Sequence, residues 1–324
     1  MNSSLQEICQ TILKSKHILI TAHVLPDGDS IGSVIGLGLA LESLGKNVTM
    51  VMQDKVPDMY RFLAGSNKII FPAALTVPSD LAIFLDCTDF SRVGDDWFQP
   101  WIREIPVISI DHHVSNKFFG KYNYVDVEAA ATAEIIYFLL KEMQLNLSIE
   151  TATALYTGIV MDTGSFQYQN TTSRTLKTAA CLLEQGIDLS QIREKLYESK
   201  SWKNLQLVAV AIERLQFVSE GKIAWTYLDQ EIMNQLQAES EHCEGVVNYP
   251  ISMENVKIGL LFREMENGTV KVGLRCRTGY DVNKIASFFG GGGHQLAAGC
   301  TLDGPLERAV SRVLDQTRMV LGEF

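Results

Sequence analysis

The sequence predicts a two-domain α/β protein: an N-terminal domain built on a parallel sheet, a helical connector, and a smaller α/β C-terminal domain with a mixed sheet. Three observations predict this. In the first half, apolar and β-branched runs alternate with helical patterns, as strands buried on both faces do. From Lys222 onward the runs alternate apolar and polar residues, as half-solvated strands do. The length of 324 residues suits two domains at about 100–200 residues each. The boundaries are set at 1–186 for the first domain, 187–210 for the connector and 211–324 for the second.

The elements follow in order. Ser4 with Glu7 is a capping-box pattern that opens a helix through about Lys16. HILITA (His17–Ala22) is a buried strand. The loop HVLPDGD leads to a helix capped by Ser30, running to about Leu44 with Gly45 as its stop. NVTMVM (Asn47–Met52), DLAIFLD (Asp80–Asp86) and IPVISID (Ile105–Asp111) are three further strands. Helices are expected at Ala131–Met143, Ile149–Val160 and Arg174–Gln185, the last ending at Gly186, and a helical stretch over 187–218 holds the connector. KIAWTYLD (Lys222–Asp229), VKIGLLFRE (Val256–Glu264) and TVKVGLRCR (Thr269–Arg277) are the alternating strands, the last two joined by a turn at Glu266-Asn267-Gly268. A short helix (Val282–Phe289), a run of four glycines and a final helix (Pro305–Val320) complete the second domain.

Composition excludes several classes. Hydrophobic residues make up 46% and charged residues 20%, proportions of a globular chain rather than a disordered one. A net charge of −10 argues against a broad basic face for long nucleic acid, though not against a pocket for a small phosphate ligand. The six cysteines are scattered, with no C-x-x-C pair, which argues against a zinc knuckle, a redox motif or a disulfide framework. Glu7 interrupts the N-terminal stretch, which is not a signal-peptide pattern, and the apolar run near Ile31–Leu41 is too short to span a bilayer. The expectation is a cytoplasmic protein with no membrane partner.

The polar residues that stand out lie just after predicted strands. His23, Asp27 and Asp29 follow the first, Asp86 the third, and Asp111-His112-His113 the fourth; Asp162 follows the helical stretch ending at Val160. In open α/β sheets such loops converge outside the carboxyl ends of the strands. Taken singly, each has an ordinary explanation as a turn, a cap or a solvated strand end. Taken together, four aspartates and one or two histidines repel one another unless cations neutralise them. Two divalent ions balance four carboxylates. Carboxylate and imidazole ligands without thiolate suit Mn²⁺ best, with Mg²⁺ or Fe²⁺ as alternatives and zinc less favoured.

HVLPDGDS, FLDCTDFSR, SIDHH and MDTGSF resemble the successive motifs of the DHH phosphoesterase superfamily, and GGGGHQLAAG (Gly290–Gly299) resembles the glycine-rich signature of its associated C-terminal domain. The short two-domain layout is most similar to bacterial bifunctional oligoribonucleases that also dephosphorylate 3′-phosphoadenosine 5′-phosphate (pAp). The resemblance implies two adjacent metal sites: His23, Asp27 and Asp86 for one, and Asp29, Asp86, His112 and Asp162 for the other, with Asp86 bridging. It implies that His113 faces the phosphate, that Asp111 orients its neighbours, and that Arg92 contacts the scissile phosphate.

For the second domain, Gly291, Gly292 and Gly293 let the backbone approach an anion. The resemblance assigns His294 to the substrate. Arg275 and Arg277, at alternate positions of one strand, form a cationic clamp on a terminal phosphate in the same reading. The implied activity is two-metal hydrolysis of short oligoribonucleotides to mononucleotides and of pAp to AMP, in a cleft split between the domains. Long duplexes are not expected as partners, and a homodimer stays open. A phosphodiesterase for cyclic or linear dinucleotides (c-di-AMP, pApA) is the enzymatic alternative. A non-catalytic RNA-binding module is the alternative of another class, and the full metal-ligand set argues against it.

Overall fold

The computed structural model describes residues 2–76 and 78–322. The chain divides between Ser199 and Lys200 into two compact units. The first holds a five-stranded sheet of β1 (His17–Thr21), β2 (Asn47–Met50), β3 (Leu81–Leu85), β4 (Val107–Asp111) and β5 (Tyr122–Val125). The order is β2-β1-β3-β4-β5 and every pairing is parallel. The continuous apolar runs have a plain cause. Ile18, Ile20, Ile83 and Ile110 enter one core, while Leu19, Ala82, Phe84 and Val107 enter another on the opposite face. Strand β5 is not expected from the sequence. YNYV alternates half-buried and buried residues at a sheet edge and has no apolar run to announce it.

The helices of this unit include α1 (Leu5–Lys14), α2 (Gly28–Ser43), the short α3 (Gln99–Ile102), α4 (Thr132–Glu142), α5 (Ile149–Asp162) and α6 (Ser173–Leu183). Helix α1 carries the expected capping box. Helix α2 starts earlier than expected. Its cap is Asp27, whose carboxylate accepts from the Ser30 amide at 3.0 Å, while the Ser30 hydroxyl accepts from the Asp27 amide at 3.0 Å. Ser30 is therefore the third residue inside the helix and not its cap. Asp162 is the last residue of α5 rather than a loop residue beyond it.

Helices α2 and α5 pack closely because glycines recur every fourth residue along α2. A Cβ on Gly28, Gly32 or Gly36 would meet Met161 Cγ at 2.4 Å, the Ala154 carbonyl at 2.4 Å or Leu155 Cδ2 at 2.5 Å. Gly158 completes the contact from α5: a Cβ there would lie 3.1 Å from Asp29 Oδ1.

The expected helical run over 187–218 is broken. Helix α7 (Leu189–Arg193) passes into a π turn over Glu194–Glu198, helix α8 (Trp202–Glu213) starts afresh with Ser201 as its cap, and Gln216–Val218 is strand β6. The second unit continues with β7 (Ile223–Leu228), α9 (Gln230–Gln235), α10 (Asn248–Ser252), β8 (Ile258–Glu264), β9 (Thr269–Cys276), α11 (Val282–Phe288), β10 (Gly292–Gly293), β11 (Ala297–Asp303) and α12 (Leu306–Leu321). The sheet is mixed, in the order β10-β11-β9-β8-β7-β6, with only β7 and β8 parallel.

Strand β9 alternates as expected, but the central β8 is buried on both faces, since Ile258, Leu260 and Phe262 enter one core and Leu261 another. The turn at Gly268 (φ +80°) closes the β8–β9 hairpin. Strands β10 and β11 are unexpected; Ala298, Cys300 and Leu302 point inward at period two, but the residues are too small and mixed to read as a strand.

Candidate metal centre

The first unit gathers the predicted residues at the carboxyl ends of β1, β3 and β4, with contributions from the ends of α2 and α5. Asp86 sits at the middle. Its Oδ2 lies 3.4 Å from His23 Nε2, and its Oδ1 lies 3.7 Å from His112 Nε2 and 3.4 Å from His113 Nδ1. His23 Nε2 is also 3.7 Å from Asp27 Oδ1, and His112 Nε2 is 3.9 Å from Asp29 Oδ2 and 3.4 Å from Asp162 Oδ2. The donor atoms fall into two groups that share Asp86: His23, Asp27 and Asp86, and Asp29, Asp86 and His112 with Asp162 beside it. Carboxylate and imidazole donors of this kind suit a hard or borderline divalent cation. Asp86 holds a left-handed backbone, φ +56°, which costs a non-glycine residue about 1–3 kcal/mol and which its amide, bonded to the Ile110 carbonyl at 3.0 Å, helps to hold.

A third grouping of Asp86, Asp111 and His113 is also close enough for a cation. Asp111 is already saturated, however. Its Oδ1 accepts from the amides of His112 (2.8 Å) and His113 (3.1 Å) and from His113 Nδ1 (2.7 Å), and its Oδ2 accepts from Asn116 Nδ2 (2.7 Å). It orients the two histidines rather than offering a lone pair outward.

Asp29 is fixed just as firmly. The amides of Thr132 and Ala133, the first two residues of α4, donate to it at 2.6 and 2.8 Å. Ala131, the cap position of α4, has no capping side chain, so Asp29 caps that helix from another element. The Thr132 hydroxyl donates to Asp86 Oδ1 at 3.1 Å. Thr132 and Asn116 are site residues that sequence reasoning missed. Both are uncharged, and the one signal for Asn116 is an Asx residue in the loop directly after SIDHH.

The electrostatics follow from burial. Asp29, Asp86, His23 and His112 are all buried, whereas the Asp27 side chain is 55% exposed. Burial works against charge on His112, but Asp162, Asp86 and Asp29 outweigh it and push the imidazole up to about 9. His23 is raised in the same way, burial being overcome by Asp27 and Asp86. Burial raises Asp162 to about 7, with Asp27 and Asp86 adding to it. Burial and the neighbouring Asp86 and Asp162 hold Asp29 well above the carboxylate range. Asp86 goes the other way: despite its burial, His23, His113 and His112 hold it well below that range. The cluster thus draws positive charge to Asp86 from every side.

Arg92 lies exposed on the 3₁₀ turn Phe90–Val93 after β3, and its carbonyl accepts from the Val24 amide at 2.7 Å, joining that turn to the loop after β1. In the second unit, Arg275 lies on β9 with Nη1 on the Leu274 carbonyl at 3.0 Å and Nε buried without a hydrogen-bond partner among the described residues. Arg277 lies past the end of β9, so the two arginines are not a pair on one strand face. Its guanidinium donates to the carbonyls of Val256 (2.7 Å), Met253 (3.2 Å) and Ile251 (3.4 Å). Gly291, Gly292 and Gly293 are exposed, and a Cβ on Gly291 or Gly293 would strike the Gly299 carbonyl at 2.2 Å or the Ala297 carbonyl at 2.6 Å. His294 opens the turn between β10 and β11, its amide donating to the Ala297 carbonyl at 2.7 Å.

A parallel sheet whose strand ends gather aspartates and histidines around one shared carboxylate, D-H-H among them, defines a DHH-type phosphoesterase. The chain belongs to the DHH family: the N-terminal domain of that family matches residues 17–159, and the DHHA1 domain matches residues 220–323. It is 34% identical to a bifunctional oligoribonuclease and PAP phosphatase of Thermus thermophilus, over 93% of this chain and 89% of that one. It is 27% identical to the protein of the same description from Bacillus subtilis, over 91% and 92%. Among solved structures, an exopolyphosphatase-related protein from Bacteroides fragilis superposes with a TM-score of 0.91 at 28% identity, covering 98% of this chain and 97% of that one.

Proposed function

We propose that the chain hydrolyses short oligoribonucleotides to mononucleotides and dephosphorylates pAp to AMP, using two divalent cations, Mn²⁺ foremost. The observation that carries this is Asp86, buried and shared between two complete donor sets, in a chain similar over nine-tenths of its length to a bifunctional oligoribonuclease and PAP phosphatase. His23, Asp27 and Asp86 would hold one cation, and Asp29, Asp86, His112 and Asp162 the other. Bound there, divalent ions supply Lewis-acid activation of water and neutralise phosphate charge.

The remaining roles belong to side chains. Asp111 accepts a hydrogen bond from His113 Nδ1–H and fixes the ring, so proton exchange at the phosphate falls to Nε2. His112 gives Nδ1–H to the Ala129 carbonyl at 3.2 Å, which commits Nε2 to the donor set. Arg92 supplies a guanidinium to the phosphate. In the second unit, Arg275, His294 and the exposed glycine backbone bind substrate phosphate, while the Arg277 guanidinium is engaged by the carbonyls of Ile251, Met253 and Val256. A preference for short chains, consistent with the net charge of −10, and a cytoplasmic location belong to the same proposal. Among the described residues no helix is long and apolar enough to cross a membrane.

A substrate panel with Mn²⁺ tests the proposal: pAp, di- to pentanucleotides, cyclic dinucleotides and pyrophosphate. Turnover of pAp and of short RNA, lost on chelation, is the expected result. The dinucleotide alternative has one observation behind it, 26% identity to a cyclic-di-AMP phosphodiesterase of Bacillus subtilis, half of whose length is matched. Faster turnover of c-di-AMP than of pAp and trinucleotides would put that reading first.

A further inference from the structure

One backbone segment, Ala129–Ala133, meets three members of the donor cluster, His112, Asp29 and Asp86, and contributes none of the proposed ligands itself. The Ala129 carbonyl meets His112 Nδ1, the amides of Thr132 and Ala133 meet Asp29, and the Thr132 hydroxyl meets Asp86. Two side chains hold the segment from outside the cluster. Glu134 Oε2 accepts from the Ala130 amide at 2.7 Å. Asn170 Nδ2 donates to the Ala130 carbonyl at 2.9 Å and to the carbonyl of Asp162 at 3.0 Å. One residue's peptide groups are thus gripped from both sides, between the carbonyl that orients His112 and the amides that orient Asp29.

Glu134 is wholly buried, and its charge is met from α6 by Arg174, whose Nε lies 3.4 Å from Oε1 and which also pairs with Asp126 at 2.9 Å. Replacing the whole ion pair by apolar side chains of similar size is often neutral or stabilising in such a place, because burying charge costs desolvation, so the pair is weak evidence of a purely stabilising role. What an apolar pair could not do is fix the Ala130 amide, which the side-chain oxygen of Glu134 accepts from.

We propose that Glu134 and Asn170 are positioning residues: they brace Ala129–Thr132 so that it presents His112, Asp29 and Asp86 in one arrangement, and so set the cation affinity of the Asp29–Asp86–His112 donor set. This rests on the two-cation reading above.

The test is a calorimetric titration of metal-free protein with Mn²⁺, alongside thermal unfolding, for the wild type, Glu134→Ala, Glu134→Gln and Asn170→Ala. The wild type is expected to bind two ions. Glu134→Ala and Asn170→Ala should each weaken one of the two by about 10–100-fold and leave the other unchanged. Glu134→Gln should recover most of the loss, since its amide oxygen still accepts from Ala130. Folded variants with lower melting temperatures but wild-type affinity at both sites overturn the brace. If Glu134→Ala does not fold, Asn170→Ala decides by the same criterion, because its side chain carries no buried charge. A wild-type protein that binds no Mn²⁺ is a separate result: it overturns the functional reading, and the brace falls with it.

Discussion

The N-terminal unit buries most of the charged residues of its cluster and holds several of them by more than one partner. Asp29 takes two helix amides, Asp111 takes four donors, and Asp86 is surrounded by three imidazoles and a hydroxyl. In the C-terminal unit the candidate glycines sit on an exposed turn, and Arg275, on β9, keeps a buried nitrogen without a hydrogen-bond partner among the described residues. The contrast teaches a division of labour. A cluster of like charges must be held by many fixed partners, because no solvent is at hand to relax it. In the second unit the backbone of exposed glycines takes the place of such a cluster.

Substitutions can break that contrast, beginning with the largest expected effect. Asp86→Ala removes the shared carboxylate and should lower turnover of pAp and short RNA by about 10³-fold or more, with loss of Mn²⁺ in calorimetry. Near-native turnover would end the shared-ligand assignment. Asn116→Ala takes one donor from Asp111 and should cut kcat by about 10–100-fold with KM unmoved, read from steady-state kinetics. Arg275→Ala should do the reverse: KM for trinucleotides rises about tenfold while kcat and Mn²⁺ affinity stay put, and a change in kcat alone would remove it from substrate binding.

The mildest pair compares packing in the two units. Gly32→Ala would strike the Ala154 carbonyl, and Gly259→Ala would strike the Ile251 amide at 2.6 Å. Each should cost about 1–3 kcal/mol in chemical denaturation, but only Gly32→Ala should also disturb Mn²⁺ binding.

The same contrast explains what the sequence could disclose. A carboxylate or histidine directly after a buried apolar run is conspicuous, so His23, Asp86 and the Asp111–His113 triplet stood out in HILITAH, FLD and SIDHH. The parallel sheet was legible for the same reason, through its two-sided burial. Thr132, Asn116, Asn170 and Glu134 were not legible. Their contribution lies in the groups they meet elsewhere in the fold: the Thr132 amide donates to an aspartate 103 residues earlier, and nothing in ATAE signals that. The sequence alone does not separate Asp27 from Ser30 as the cap of α2, because the two bond reciprocally and local sequence does not say which residue stands outside the helix. Strands β5, β10 and β11 escaped because tyrosine, glycine and alanine carry little periodic signal.

The glycines at positions 28, 32, 36 and 158 have a consequence of their own. They set the distance between two rods, α2 carrying Asp29 and α5 carrying Asp162, by leaving out volume rather than by making a bond. The gauge of the charged cluster is therefore written in residues that carry no chemistry. Adding a methyl group at one of these positions would change the spacing of the two aspartates without replacing a single charged residue.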